Sequence, residues 1–185
     1  MARLLGIVAM LGLFATRTAA AEEPRKKPDE AIGQQNFALG LQGGFYNPNG
    51  LFVRGGLEAA SLELAGGFVP VLLSYGSDVD PKLKVIAPLE VTGQLVLGAL
   101  EVTSHTRMAL RVGYRYNVDL GHGATLGGQA TRRWGHFQLE GLYGLTIYPD
   151  AADRLRVRGA IPADTHFNFP PSINGGLTIG VAYYP

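Results

Sequence analysis

The chain has 185 residues, with no cysteine, 26 glycines, 46% apolar residues and only 17% charged residues. Average proteins carry about 25% charged residues and about 7% glycine, so this chain is poor in charge and rich in glycine. Its composition excludes a mainly disordered chain, a disulfide scaffold and a cysteine-ligated zinc site, and its formal charge of +1 gives no broad basic surface for nucleic acid.

The N-terminal segment, residues 1–21, predicts a secretory signal peptide. Arg3 gives a positive start, an apolar run follows from Leu4 to Phe14, and Ala19 to Ala21 supply small residues for cleavage. The run is shorter than the roughly 20 residues of a membrane-spanning helix, which argues against an uncleaved anchor. Cleavage removes two arginines and no acidic residue, so the predicted mature chain is nearly neutral.

A charged segment interrupted by two prolines follows at residues 22–35. It has no apolar period, and we interpret it as a solvated periplasmic linker. The density of charge falls at Asn36, so we place a single β-barrel domain at residues 36–185.

From Asn36 onward, apolar and polar residues alternate with period two, which is typical of β-strands. Residues 108–120 form the clearest run, which is longer than the roughly 5–6 residues of an ordinary strand and suits a tilted membrane strand of about 9–11. The same alternation predicts about eight strands, at residues 37–45, 51–57, 62–68, 91–99, 108–120, 126–131, 137–147 and 177–183.

The links between these strands differ in length on the two sides of the predicted sheet. Short turns are predicted at residues 47–50, 59–61, 103–105, 121–123 and 133–135. The two longer links, an acidic loop at 75–81 and a connection at 148–172 with a strand extension at 155–159, fall on one side. Membrane barrels place short turns in the periplasm and long loops outside, and this arrangement agrees with that asymmetry.

Charged residues occupy only one face of the alternation. A soluble barrel would expose that face to water, whereas a membrane barrel would enclose it in the lumen, and period two fits both. The length of the strands and the apolar face repeated on nearly every strand favour the membrane barrel. We therefore expect a lumen filled with paired charges, with glycines making room for the arginines. The predicted lumen charge network is Arg54, Glu58, Glu63, Glu90, Arg111, Arg115 and Glu140.

Aromatic residues near the predicted strand ends suggest a belt at the membrane interface, where Trp and Tyr are enriched. Arg132 and Arg133 precede one of them and add basic character. The predicted interfacial aromatic belt is Trp134, Tyr143, Tyr148, Tyr183 and Tyr184.

With these features the chain resembles small bacterial outer-membrane β-barrels, with the architecture of the OmpA transmembrane domain and OmpX. The resemblance spans about Asn36 to Tyr184 and includes no specific motif; the final Pro185 departs from the terminal aromatic residue usual in such barrels. It implies an antiparallel up-and-down transmembrane β-barrel in a Gram-negative outer membrane. The implied partners are outer-membrane lipid, lipopolysaccharide and the barrel-assembly machinery.

Three functions are compatible with the sequence. The favoured one is an integral outer-membrane protein with a structural or interaction role and a non-conducting lumen, able to contact a protein partner through residues 148–173. The alternatives are a soluble periplasmic lipocalin-like barrel for a small apolar ligand and a lipid-A-active barrel enzyme. Ser104 and His105 are adjacent but fall in a predicted periplasmic turn, and the histidines lack metal-site spacing, so we expect no catalytic residue, metal or cofactor.

Overall fold

The computed structural model describes residues 35–57, 59–76, 80–103, 106–162 and 166–185. The signal peptide predicted at residues 1–21, and the linker as far as residue 34, lie outside these ranges. Ten strands and one short helix are present in the described residues. The strands are β1 (Gln35–Gly44), β2 (Asn49–Leu57), β3 (Ala60–Phe68), β4 (Val71–Gly76), β5 (Pro81–Ile86), β6 (Leu89–Thr103), β7 (Thr106–Asn117), β8 (Gly121–Trp134), β9 (Phe137–Ile147) and β10 (Ile173–Tyr183).

Eight of these strands close into an antiparallel barrel in the order β1-β10-β9-β8-β7-β6-β3-β2. Each is hydrogen-bonded to its chain neighbours, with β3 beside β6, and β1 pairs with β10 to close the ring. The predicted eight-stranded antiparallel barrel is therefore confirmed.

Strand β8 begins earlier than the sequence indicates. The turn predicted at residues 121–123 is wrong, because these residues belong to the strand and the turn lies at residues 118–120. His122 faces outward, whereas Gly123 faces inward, where a Cβ atom would lie 2.7 Å from the Tyr148 ring. Glycine at position 123 therefore makes room for the Tyr148 ring. In the sequence alone, the same glycine indicates a turn.

The barrel is apolar outside and polar inside. Large apolar side chains are exposed on all eight barrel strands, including Leu39, Leu64 and Leu95. The side chains between them point into the lumen, where charged, amide and hydroxyl groups are buried. In the predicted alternation, the apolar residues therefore face outward and the polar residues face the lumen.

The two ends of the barrel differ. At one end, which we call the turn end, short connections join β2 to β3, β6 to β7 and β8 to β9. The opposite end, which we call the loop end, carries the connections at residues 45–48, 69–88, 118–120 and 148–172. Barrel strands β1 and β10 respectively begin and end at the turn end.

Two loop-end connections contain structure that the sequence did not predict. Of the acidic loop expected at residues 75–81, Tyr75 and Gly76 belong to β4 and Pro81 to β5, which pair with each other, whereas residues 77–79 lie outside the described ranges. The strand extension expected at residues 155–159 is wrong, because α1 (Ala151–Val157) occupies most of that segment. Ala151 and Leu155 are four residues apart, so they share one face of this helix, and both are buried. No helix in the described ranges combines the length and apolar character needed to cross a membrane.

Candidate functional site: the closed lumen

The connection between β1 and β2 folds into the lumen. Tyr46, Asn47 and Pro48 are buried, and the backbone N–H groups of Tyr46 and Asn47 donate to Thr178 Oγ1 at 3.1 and 2.9 Å. The Tyr46 hydroxyl lies 2.9 Å from Thr125 Oγ1 on β8. The sequence predicted a turn at this place but not its inward direction. This connection therefore fills the loop-end half of the lumen from within.

Two glycines make room for the Tyr46 ring. A Cβ atom at Gly127 would lie 2.5 Å from the Tyr46 hydroxyl oxygen, and one at Gly144 would lie 2.6 Å from its Cε2 atom. Each added atom would also crowd a backbone oxygen of the neighbouring strand, that of Tyr143 at 2.3 Å and that of Leu126 at 2.5 Å respectively. Gly40 has the same relation to the buried ring of Phe52. These inner glycines therefore accommodate aromatic rings, whereas the sequence interpretation assigned the space to arginines.

Arg54 organises an ion cluster in the turn-end half of the lumen. Its Nη1 and Nη2 atoms donate to the two carboxylate oxygens of Glu140 at 2.7 and 2.8 Å. Nη2 also donates to Glu63 Oε2 at 2.5 Å, and Glu63 Oε1 accepts a hydrogen bond from Arg111. All four side chains are buried, and each charge meets at least one opposite charge.

Arg115 organises a second cluster nearer the loop end. Its Nη1 atom donates to Glu90 Oε1 at 3.1 Å and to the backbone oxygen of Tyr46. Its Nη2 atom donates to Asn47 Oδ1 at 2.5 Å, and its guanidinium carbon lies 4.4 Å from the centroid of the Tyr46 ring. Glu90 Oε2 accepts a further bond from Asn117 Nδ2 at 3.0 Å. The cluster thus holds the inward connection against the barrel wall.

Gln94 joins the two clusters. Its Oε1 atom accepts from Arg111 Nε at 2.7 Å, and its Nε2 atom donates to Asn47 Oδ1 at 3.0 Å. A continuous hydrogen-bond network therefore runs along the lumen. The structure brings together six of the seven predicted charges, whose formal charges cancel: Arg54, Arg111, Arg115, Glu63, Glu90 and Glu140. The seventh, Glu58, lies outside the described residues.

Two tyrosines expected in the interfacial belt are instead buried, so this part of the prediction is wrong. The Tyr148 hydroxyl donates to Glu90 Oε2, and burial, followed by the neighbouring Glu90 charge, raises the pKa of Tyr148 far above its ordinary value. It is therefore a neutral donor at physiological pH. Tyr184 faces the turn-end lumen, where its hydroxyl accepts from Arg54 Nη1 at 3.3 Å and Arg133 stacks on its ring. Both tyrosines directly follow the end of a strand, where the alternation no longer indicates whether a side chain faces outward or inward.

The other three predicted belt residues are exposed on the outer surface. Trp134 and Tyr183 lie at the turn end, and the Arg132 guanidinium carbon is 5.2 Å from the centroid of the Trp134 ring. Tyr143 lies nearer the middle of β9, and its ring covers Gly128 on β8. Two of the five predicted positions thus form an aromatic patch at one rim.

The sequence interpretation missed an aromatic cluster at the opposite rim. Tyr114 and Tyr116 project outward from β7, and His122 lies beside them on β8. The Tyr114 hydroxyl is hydrogen-bonded to His122 Nδ1, and the rings of Tyr116 and His122 are 5.0 Å apart between centroids. The signal was available, because these tyrosines are the last outward aromatic residues of the predicted strand at 108–120.

The remaining loop-end connections form a small apolar core above the lumen, which we call the cap. Val71 and Leu73 of β4 and Leu155 of α1 are buried in it, together with Leu120 and the Tyr148 ring. Because the Tyr148 hydroxyl reaches Glu90 in the lumen, the cap is directly connected to the polar network below.

The candidate catalytic pair lies beyond what the structure describes. Ser104 and His105 fall in the gap between β6 and β7, so the expectation that they take no part in catalysis stays a prediction. Within the described ranges, no three histidine, aspartate or glutamate side chains are grouped as metal ligands would be.

Comparison with protein-family models gives no match, and comparison with curated proteins gives none either. Among solved structures, the chain is similar to a major outer membrane protein from Thermus thermophilus, with a TM-score of 0.51. The similarity covers 82% of this chain and 99% of that chain, at 16% sequence identity. The two chains share a barrel fold.

Proposed function

We propose that this protein is an integral outer-membrane β-barrel with a structural or interaction role and a closed, non-conducting lumen. The observation that carries the proposal is its polarity, since apolar side chains cover the outside of every barrel strand and the strand charges away from the turn-end rim are enclosed. An isolated charge is costly in lipid, and water would leave the apolar surface unfavourably exposed, so a bilayer is the medium that suits both faces. The fold shared with an outer-membrane protein supports the same location.

The orientation follows from the unequal ends. We place the turn end in the periplasm, because outer-membrane barrels have short periplasmic turns, and the cap outside, facing lipopolysaccharide. The predicted signal peptide would deliver the chain to the assembly machinery from the periplasmic side. Trp134 and Tyr183 would then lie at the inner interface, and Tyr114 and Tyr116 at the outer one.

The lumen argues against the lipocalin-like alternative. A site for an apolar ligand is lined mainly by apolar side chains. Here Glu63, Arg111 and Arg115 occupy the interior with no exposed surface. The inward residues Tyr46 and Asn47 fill the space that remains between them. This packing supports a closed lumen and a role performed by the outer surface and the cap.

A paired substitution tests the membrane location. Leu64→Arg places a charge on the outer face of β3, and in lipid vesicles it should lower the free energy of unfolding by about 2–4 kcal/mol. The matched control, Leu83→Arg on β5, lies beyond the barrel wall and should change it by less than about 0.5 kcal/mol. In a soluble barrel both leucines face water, so equal small effects would contradict the proposal.

Two further measurements test its separate parts. After expression of the whole chain, the protein should stay in the membrane pellet through urea and carbonate washes and run with heat-modifiable mobility on gels. A product released into the wash would refute the membrane location. In planar bilayers the purified protein should give no unitary current, and stepwise currents would refute the closed lumen alone.

A further inference from the structure

Strands β4 and β5 continue the β3–β6 ladder beyond the barrel. Phe68 pairs with Leu89, the Val69 N–H donates to the Pro88 oxygen at 3.0 Å, and Val71 pairs with Ile86. The register is the same on both sides of this junction, so no residue is inserted or lost. The barrel sheet thus projects past its own rim as a two-stranded arm.

One face of the arm is held in place by the cap. Val71 and Leu73 are buried in the apolar core above the lumen, and Tyr75 and Ile86 pack against it. The Lys84 ammonium donates to the Ala160 oxygen at 2.6 Å. These contacts hold the arm in one conformation. Binding of a partner would therefore require little additional ordering of the β5 backbone, which would otherwise cost free energy.

The two edges of the arm differ. The outer edge of β4 is partly occupied, because the Gly76 N–H donates to the His166 oxygen and the Asn168 N–H donates to the Ser74 oxygen. Strand β5 pairs with β4 on one side, and among the described residues no strand pairs with its other side. Residues 81–85 are all exposed. An exposed strand edge presents unpaired backbone N–H and C=O groups, which can accept an added strand.

The side chains of β5 alternate in chemistry. Leu83 and Val85 point outward and are 70% and 66% exposed, and Leu72 of β4 extends their apolar surface. Lys82 and Lys84 point to the opposite face, the one that the cap holds, where Lys84 contacts Ala160 and both lysines remain exposed. Directly opposed charges of unlike sign stabilise a strand pair. The matching strand therefore has acidic residues opposite the lysines and apolar residues opposite Leu83 and Val85.

A second copy of the chain fits this edge poorly. Antiparallel pairing of two β5 strands with matched faces places Lys82 opposite Lys84, and like charges in that position destabilise the pair. A shift by one residue places the lysines opposite Leu83 and Val85 instead. A third register, centred on Pro81, places Asp80 opposite Lys82, but the two prolines at its centre have no N–H group to donate. None of these registers combines unlike charges with a full set of backbone hydrogen bonds, so the alternation disfavours self-association and favours acidic partners.

We propose that β5 is a docking edge for an extended segment of a partner protein in which acidic and apolar residues alternate. The segment adds as a third strand to the β4–β5 arm, with hydrogen bonds to the backbone groups of β5 that face away from β4. Only the location of this edge outside the cell, where it would meet an external partner, rests on the proposed function. Strand addition itself is inferred from the structure of the β4–β5 arm, and its test does not depend on the location of the barrel.

The test uses the full chain in detergent micelles and a short capped peptide in which glutamate alternates with valine. We expect this peptide to bind at least about tenfold more tightly than the same peptide with lysine in place of glutamate. The variant Lys82→Glu keeps the contact between Lys84 and Ala160 and should abolish that preference, while keeping heat-modifiable mobility. Equal binding of the two peptides by this variant would also show that its arm is intact.

A third peptide separates strand addition from attraction between charges. It carries the same side chains but has N-methyl groups along one backbone edge, so it cannot donate hydrogen bonds to β5, and its binding should be lost. Equal binding of the methylated peptide, the same preference in both proteins, or no binding of either charged peptide would overturn the proposal. So would a dimer of the chain in sedimentation that the acidic peptide does not dissociate.

Discussion

Replacing Glu63 with glutamine is the sharpest perturbation of the lumen network, because this carboxylate joins two of its three arginines. Glu63 Oε2 accepts from Arg54 Nε and Nη2 at 3.1 and 2.5 Å, and Oε1 accepts from Arg111. Glutamine has nearly the same shape but no charge, and its amide nitrogen would face a guanidinium donor. The substitution therefore leaves one excess positive charge in a buried cluster without creating a cavity.

The expected loss follows from this burial. Removing one partner of a buried ion pair typically costs about 3–5 kcal/mol, since the remaining charge stays desolvated. Glu63 and Arg111 have no exposed side-chain surface and Arg54 has only 6%, so screening by solvent is weak. We therefore expect Glu63→Gln to lower the free energy of unfolding by about 3–5 kcal/mol.

The assay is denaturant unfolding from lipid vesicles, followed by the fluorescence of Trp134, which is the single tryptophan of the chain. The matched control is Glu101→Gln. Glu101 pairs with Arg107 at 2.8 Å, but its side chain is 60% exposed, so we expect a loss below about 1 kcal/mol. Adding Arg111→Gln to Glu63→Gln restores neutrality in the lumen and should recover part of the loss.

Equal stability of Glu63→Gln and Glu101→Gln would refute this reasoning, because it would mean that the lumen charges are solvated. A double variant that loses as much as the two single variants combined would refute the coupling between Glu63 and Arg111.

Two further predictions concern the inward Tyr46 ring and the cap. Gly127→Ala should lower the free energy of unfolding by about 1–3 kcal/mol, because its Cβ would lie 2.3 Å from the Tyr143 backbone oxygen and 2.5 Å from the Tyr46 hydroxyl oxygen, whereas Gly55→Ala, with nothing within 4 Å of the added atom, should be tolerated. The same vesicle titration measures both, and equal effects would show that the inner wall has room for a side chain at position 127. Leu155→Ala should destabilise the cap by about 2–5 kcal/mol, so trypsin should cut faster near α1 while the heat-modifiable barrel persists. Unchanged cleavage, or loss of the barrel, would contradict an independent cap core.

The alternation along the strands predicted the barrel because period two is a local property of the chain. In each pair of neighbours such as Leu110 and Arg111, the alternation already indicates that one faces outward and the other faces the lumen. The same rule gave the correct inward direction for Arg54 and Glu140, which lie on different strands yet meet in one cluster. Closure of the barrel then brought these charges together without any further signal in the sequence.

Segments at the rims could not be predicted in this way, because their direction is set by distant residues. The connection at Tyr46 and Asn47 has ordinary turn chemistry, but its inward path depends on the space beside Gly127 and Gly144. Tyr148 likewise resembles a belt residue in the sequence, but its hydroxyl group donates to Glu90, which lies far away in the chain. The β4–β5 arm gives no comparable local signal, because its register with the β3–β6 ladder is a property of two separated segments.

These observations connect the charge deficit with part of the glycine excess. A narrow barrel in lipid must be apolar outside, which limits charge to the few positions that face inward. Charges alone would leave gaps in the lumen, and the inward ring of Tyr46 fills one of them beside Arg115. A ring that close to the wall requires wall residues without side chains, as at Gly127 and Gly144. In the closed lumen that we propose, aromatic packing fills the space between the charges, and the paired charges fix the position of the ring.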